Sequence, residues 1–129
     1  MTGLNKGVID ATIIKVDSNG KKLWMKSFGG TGSDAFYSIL ESPDGGYVAS
    51  GFTNSPSNSE VPEINGVSDG IVVKYDPYGN IMWKKAVGGI GGDNIMDGVL
   101  TNTGDYLFTG TTYGQDYSLM GADAAVYRI

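Results

Sequence analysis

The sequence predicts an all-β fold made of a repeated antiparallel unit, and three observations support this prediction. The stretch from Asp10 to Thr53 recurs without a gap 59 positions later, with fourteen of its 44 residues identical. Turn signals rich in Gly, Pro, Asp and Asn separate short apolar runs throughout both copies. No window of eleven or more residues keeps a helical period, so we expect no helix.

The length and composition fit one domain with a hydrophobic core. The 129 residues include 21 glycines and 4 prolines, which is turn-rich, and 40% of them are hydrophobic. We therefore expect a single domain over residues 1–129. Its repeats run over residues 10–68 and 69–122, and a partial third copy occupies residues 123–129, because Asp123 follows Asp69 by 54 positions.

Each repeat contains four predicted strands. In the first copy they are Ala11 to Val16, Lys21 to Phe28, Ala35 to Glu41 and Tyr47 to Thr53. Asp17-Ser18-Asn19-Gly20 places Asp first and Gly fourth, which indicates a type I turn closed by a left-handed residue. Ile71-Val72-Val73 is apolar on both faces, as in a strand sandwiched between two sheets. Four antiparallel strands repeated in tandem every 54 to 59 residues are typical of β-propeller blades.

Two longer motifs carry a family resemblance. Trp-x-Lys-x-x-Gly-Gly-x-x-x-Asp spans Trp24 to Asp34 and Trp83 to Asp93, and Gly-x-Tyr-x-x-x-Gly-x-Thr spans Gly45 to Thr53 and Gly104 to Thr112. Together they resemble the tandem β-propeller repeats of bacterial and archaeal surface proteins and lipoproteins. The resemblance implies an extracellular or cell-surface location and indicates little about activity.

The same resemblance sets the expected grouping of the strands. In quinoprotein-like propellers, which these repeats are similar to, the Trp-bearing strand is the outermost strand of its blade. The chain would then hold two outer strands, one whole blade from Ala35 to Val87, and three strands of another. This amounts to about two blades plus one extra strand per chain.

Two blades are too few to close a ring, because closed propellers need at least about four. We therefore expect the partners to be further copies of the chain, in a homo-oligomer, or neighbouring propeller repeats; three copies would give about six blades. The strands at residues 10–16 and 123–129 compete for the same type of position, so an exchange of strands is a further alternative.

Composition excludes several function classes. The chain has no Cys and no His, which excludes disulfides, thiolate zinc sites, Cys nucleophiles and imidazole bases. A net charge of -5 argues against nucleic acid as a partner. The longest apolar runs are far shorter than a membrane span, and residues 1–6 do not form a signal peptide. We expect no enzyme, no catalytic residue and no cofactor.

The Gly-rich loops that end in Asp34 and Asp93 match the Gly-Gly-x-Gly-x-Asp pattern of calcium-binding β-rolls. Calcium prefers six to eight oxygen ligands, whereas a lone copy supplies one carboxylate. We therefore expect no metal, and we expect each aspartate to bond amides of its own loop. Both residues stay candidates for ligand binding because of their place on a loop rim.

Loops after the second and fourth strands of each repeat should share one rim: Gly29 to Asp34, Gly88 to Asp93, Asn54 to Ser68 and Tyr113 to Ala122. The polar segment from Asn54 to Glu63 should be exposed. The last loop offers aromatic, amide and carboxylate groups that suit a glycan or peptide, and its candidate residues are Tyr113, Gln115, Asp116 and Tyr117.

Two further repeated positions have structural interpretations. Trp24 and Trp83 should wedge between blades with the indole nitrogen bonded to a carbonyl. Lys15, Lys74 and Arg128 share one repeat position and should form ion pairs or guard a strand edge. The leading hypothesis for the whole chain is a non-enzymatic propeller scaffold or interaction module, and the alternative is a glycan-binding, lectin-type propeller that uses the loop rim.

Overall fold

The computed structural model describes residues 6–113 and 122–129, and in these ranges the chain forms strands and no helix. The strands, numbered in chain order, are β1 (Ala11–Val16), β2 (Lys22–Phe28), β3 (Asp34–Glu41), β4 (Tyr47–Thr53), β5 (Asp69–Tyr75), β6 (Ile81–Val87), β7 (Asp93–Leu100), β8 (Tyr106–Tyr113) and β9 (Ala122–Arg128). Every predicted strand of the first repeat is present, within one residue of its predicted ends. No helix of the described ranges is long and apolar enough to cross a membrane.

The strands form three antiparallel sheets. Sheet 1 has the order β1-β2, sheet 2 the order β3-β4-β5-β6, and sheet 3 the order β7-β8-β9. The predicted fold class is therefore confirmed: the chain is all-β, with one whole four-stranded unit flanked by two outer strands and by three strands of another unit. The whole unit covers residues 34–87, one residue longer at its start than predicted.

The Asp-Gly turns have the predicted geometry. Asp17 Oδ1 accepts hydrogen bonds of 2.9 Å from the amides of Asn19 and Lys21, and the Gly20 amide donates to the Asp17 carbonyl. Gly20 has a φ of 79°, which L side chains rarely adopt. The equivalent Gly79 has a φ of 81°, so the second repeat closes its hairpin in the same way.

A β-bulge recurs in the first strand of sheets 2 and 3. The register with the next strand shifts between Phe36 and Ser38 in β3, and between Ile95 and Asp97 in β7. Gly51 lies opposite the first bulge, where a Cβ atom would come 1.9 Å from the Ala35 carbonyl oxygen. Gly110 meets the Asn94 carbonyl in the same way at the second bulge. The repeated glycine is therefore required by the close approach of a neighbouring strand.

Sheet 2 lies between the other two sheets, with a separate apolar cluster on each face. Every residue of β5 is buried, which confirms that Ile71-Val72-Val73 is covered on both faces. The cluster shared with sheet 1 consists of Ala11, Ile13, Phe28, Ala49, Val61, Ile71, Val73 and Tyr75. The cluster shared with sheet 3 consists of Val48, Val72, Ile95, Tyr106 and Phe108.

Most of the segment from Asn54 to Glu63 is exposed as predicted, but the prediction was wrong for Ser55 and Val61. Val61 is fully buried in the cluster between sheets 1 and 2, and Ser55 is fully buried against Asp34. The loop turns inward because Asn58 Oδ1 accepts hydrogen bonds from the amides of Glu60 and Val61, which points the valine toward the core. One apolar residue among polar ones gave no periodic signal.

Trp24, Lys74 and Arg128 make the contacts predicted for their repeated positions, whereas Trp83 is 36% exposed and Lys15 lies over the Tyr47 ring. The Trp24 indole donates to the Pro77 carbonyl of the next sheet at 3.3 Å, and its ring packs edge-on to Tyr47. Buried Lys74 forms an ion pair of 2.8 Å with Asp44. Arg128, at the same repeat position, forms an ion pair with Asp105.

Candidate functional site

The loop rim predicted from the repeat brings its described segments together. The Ser33 amide donates to Asn54 Oδ1 at 2.6 Å, which joins the β2–β3 loop to the segment after β4. In the second repeat the Tyr113 amide donates to the Gly92 carbonyl at 3.0 Å. Hydrogen bonds between its own loops therefore hold the rim together.

Asp34 is fully buried within this rim and its oxygens are occupied by the protein. Oδ1 accepts a hydrogen bond from the Thr53 hydroxyl, while Oδ2 accepts from the Ser55 hydroxyl at 2.7 Å and from the Gly30 amide at 3.0 Å. This arrangement confirms the expectation that the aspartate bonds amides of its own Gly-rich loop. It also leaves the carboxylate turned into the protein.

Asp93 has the same place in the second repeat but fewer partners. Its Oδ2 accepts from the Gly89 amide at 2.9 Å, as Asp34 does from Gly30. Its Oδ1 is buried, and no donor within residues 6–113 and 122–129 reaches it. The sequence places Gly114 at the repeat position of Ser55, so the serine hydroxyl that helps to satisfy Asp34 has no counterpart.

Each Gly-rich loop also brings two carboxylates close together, a contact that the sequence pattern does not predict. A Cβ on Gly29 would lie 2.6 Å from Asp34 Oδ2 and 2.8 Å from Asp10 Oδ1. The repeat of this junction is formed by Asp69 and Asp93 beside Gly88. The sequence does show that Asp10 and Asp69 share a repeat position. Each is 24 residues before the aspartate that it approaches, so no local spacing indicates the contact.

Burial dominates the electrostatics of the second junction. It raises the pKa of Asp69 above its ordinary value; the amides of Asn65 and Gly66 oppose this shift by donating to the carboxylate, and the nearby charge of Asp93 adds to it. Across the part of the chain that the structure describes, no group of three or more metal-ligating side chains forms. What the geometry shows is a pair of loop-fixing carboxylates at each sheet junction.

The remaining rim candidates are only partly placed. Tyr113 lies at the end of β8 with more than half of its side chain exposed, beside Gly91 and Gly92. Gln115, Asp116 and Tyr117 lie outside the described residues. The structure therefore brings Asp34 and Asp93 into equivalent junctions of different sheets, and it leaves Tyr113 as an exposed aromatic group on the rim.

A second candidate surface is the outer face of sheet 1. Ile14 is 54% exposed, whereas Val73, at the same repeat position in sheet 2, is 0% exposed. Val16 is 52% exposed, whereas its equivalent Tyr75 is 1% exposed. The outer face of sheet 1 thus presents to solvent the positions that sheet 2 buries.

The outer face of sheet 3 shows the same contrast. Leu107 is 37% exposed, whereas its repeat equivalent Val48 is 1% exposed in the cluster between sheets 2 and 3. Val99, the cross-strand neighbour of Leu107, is also exposed. The molecule therefore has two different apolar end faces, one on sheet 1 and one on sheet 3.

A groove runs beside the free edge of β1. Within the described ranges β1 pairs with β2 alone, whereas its equivalent β5 pairs on both sides. The groove has a volume of about 230 Å³ and lies between this edge and the face of sheet 2. We call it the β1 groove; its lining includes Thr12 and Ile14 of β1 and Phe36, Ile39 and Ala49 of sheet 2.

No protein-family model matches the chain, and no match is found among curated proteins.

Proposed function

We propose that the chain is a non-enzymatic β-propeller module that serves as a scaffold or interaction surface, with a ring closed by further copies or by neighbouring repeats. The observation that carries this proposal is the contrast between equivalent positions: Ile14 and Val16 are about half exposed, while Val73 and Tyr75 are buried. Large apolar groups that one sheet buries and its repeat exposes mark a face that lacks a partner.

The repeated tryptophans support the same conclusion. Trp24 packs on the next sheet and donates to a carbonyl in the β5–β6 turn of that sheet. Trp83 holds the same position in sheet 2 and is 36% exposed. In sheet 2 the strand pair β5-β6 follows β4, and the turn between those two strands receives the Trp24 indole. The equivalent turn for Trp83 would follow β9, which is the last strand of sheet 3 among the described residues.

Each end face can be covered by a sheet of another copy or of a neighbouring repeat without new chemistry. Sheet 2 contacts sheet 1 on one face and sheet 3 on the other, so each contact inside the chain joins the back of one sheet to the front of the next. Repeating that contact between chains gives a head-to-tail interface, which closes into a ring when the rotation fits.

A non-enzymatic role agrees with the chemistry of the rim. The buried Asp34 carboxyl accepts hydrogen bonds from two hydroxyls and an amide, so its oxygens are occupied by the protein. The sequence has no His or Cys to supply another proton carrier or nucleophile.

A matched pair of variants tests the proposal. Ile14→Glu puts a charge on the outer face of sheet 1, and Tyr78→Glu puts the same charge on an exposed turn away from either end face. We expect sedimentation velocity to show self-association of the wild type and of Tyr78→Glu, and its loss in Ile14→Glu. Equal behaviour of the two variants would contradict the proposal.

The exposed Tyr113 favours glycan binding as a second candidate function. An exposed tyrosine ring on the rim beside Gly91 and Gly92 offers an aromatic face to a sugar. Screening a glycan array with the wild type and with Tyr113→Ala tests this candidate. It is supported if one glycan class binds and the variant loses it, and it fails if no glycan binds or the variant binds equally.

A further inference from the structure

We infer that the β1 groove is the docking site for strand β8 of a second copy of the chain. In that second copy β9 leaves β8, and β1 of the first copy pairs with β8 instead. This inference rests on the proposed function, because it requires copies to associate. It goes further by naming the strands that meet, the register in which they pair and the segment that must leave.

The repeat register shows that β1 and β9 are alternatives for one position. In sheet 2, β4 pairs with β5, and Val48 lies opposite Lys74. In sheet 3, β8 pairs with β9, and Leu107 lies opposite Arg128. Lys15 of β1 shares the repeat position of Lys74 and Arg128, so an exchanged strand would place it opposite Leu107 of the other copy.

Charge pairing identifies the same partner. Lys74 pairs with Asp44 in the turn before β4, and Arg128 pairs with Asp105 in the turn before β8. Lys15 forms no ion pair with a carboxylate of the described residues and lies 5.5 Å above the ring of Tyr47. Docking of β1 on β8 would give Lys15 the carboxylate of Asp105 that Arg128 now occupies.

The apolar surfaces also fit. Ile129, which follows β9, packs against the cluster between sheets 2 and 3, and Val16 holds its repeat position in β1. Exchange would therefore bury Val16 where Ile129 lies now. In return Leu107 would enter the β1 groove and face Phe36 and Ala49, as Val48 faces the cluster of the next sheet.

Exchange also completes a sheet. β9 contributes a single strand to β8, whereas β1 brings β2 with it. The composite order β7-β8-β1-β2 reproduces the four-stranded order of sheet 2. β8 keeps a hydrogen-bonded neighbour, and β1 gains a second one. The β-branched residues Thr12, Ile13 and Ile14 of β1 also replace β9, a strand that contains three alanines.

The chain has no cysteine, so a pair of engineered disulfides can report the two states separately. Residues opposite each other in an antiparallel ladder have Cα atoms about 4.5–5.5 Å apart, within the range of a disulfide. L107C with K15C can bond only between copies, because sheet 2 separates the two positions within one chain. L107C with R128C ties β9 to β8 of its own chain.

Oxidation followed by non-reducing electrophoresis and light scattering gives the test. We expect L107C/K15C to form covalent multimers, and we expect oxidised L107C/R128C to stay at the mass of one chain and to associate again after reduction. L107C with V67C, whose valine lies on the rim, is the control and should form no multimers above the level of single L107C.

The outcomes distinguish this inference from the function on which it rests. If oxidised L107C/R128C still associates, or if L107C/K15C forms no bond between chains although the protein is oligomeric, strand exchange is overturned and self-association stands. If the wild type is a single chain at every concentration, strand exchange and closure by further copies are both overturned.

Discussion

The Ser38 hydroxyl donates a hydrogen bond of 2.8 Å to Asp97 Oδ1, and the two residues occupy the same position of the repeat, 59 residues apart. Each lies at the bulge of the edge strand of its sheet, β3 or β7. Sheets 2 and 3 are therefore stacked so that equivalent edge positions meet. A ring built from such sheets would bring a further Ser38 and a further Asp97 together at each new junction.

Removing the Ser38 hydroxyl should change the titration of Asp97. The Ser38 hydrogen bond is the largest cause of its lowered pKa, and the Gly98 amide adds to it. In Ser38→Ala we expect the Asp97 pKa to rise toward 3.8 in a carboxyl NMR titration. Asp76, whose pKa is lowered chiefly by Asn80, is the internal control and should titrate as before. An unchanged Asp97 would contradict the predicted contact.

The pair of Asp44 and Lys74 should make stability depend on pH in the acid range. Hydrogen bonding to Lys74 and the Gly46 amide lowers the Asp44 pKa from 3.8 to about 2. Because the folded-state pKa is the lower one, the stabilisation is complete above about pH 4 and is lost as the pH falls toward 2. Asp44→Asn should therefore be less stable at neutral pH and lose less stability on acidification, as measured by urea unfolding.

Lys74→Met removes the same pair from the other side and should flatten the same pH window. If either variant keeps the full acid dependence of the wild type, the ion pair is not its source.

The glycine opposite the first bulge should tolerate no side chain. Gly51→Ala would place a Cβ 1.9 Å from a backbone oxygen, and we expect a loss of about 3 kcal/mol, typical of severe overpacking. Gly104 has a φ of 88° and nothing near its Cβ direction, so Gly104→Ala should cost only about 1 kcal/mol. Chemical denaturation of both variants measures the difference, and equal losses would contradict the close strand approach.

Replacement by asparagine should lower the unfolding free energy by different amounts at Asp34 and Asp93. Asp34→Asn puts an NH₂ group among donors that need acceptors, so we expect a loss of about 2 kcal/mol in unfolding free energy. Asp93→Asn can direct its NH₂ group to the side where Oδ1 has no donor among the described residues, so its loss should be smaller. A larger loss at position 93 would contradict the assigned hydrogen bonds.

Much of the fold could be predicted because local and repeated signals agree. Asp17 and Gly20 mark a turn by their chemistry, and the apolar run around Val72 marks a strand covered on both faces. The tryptophan contact was also predictable, since a wedge at a repeated position needs a carbonyl partner.

The features that the sequence did not predict depend on contacts between distant segments. Val61 is one apolar residue in a polar loop, and only the packing of sheet 1 on sheet 2 creates the place it fills. The approach of Asp10 to Asp34 joins residues on different sheets across Gly29, which no spacing along the chain shows. The repeat count predicted that the chain cannot close a ring, but identifying the residues of the exposed end faces required the paired strands.

The solution mass of the unmodified chain tests the central claim most directly. We predict that light scattering coupled to size exclusion gives twice 13.6 kDa or a higher whole-number multiple, held over a wide range of loading concentrations. A monodisperse species of one chain at every concentration would show that the two apolar end faces are stable in water, and would contradict closure of the ring by further copies.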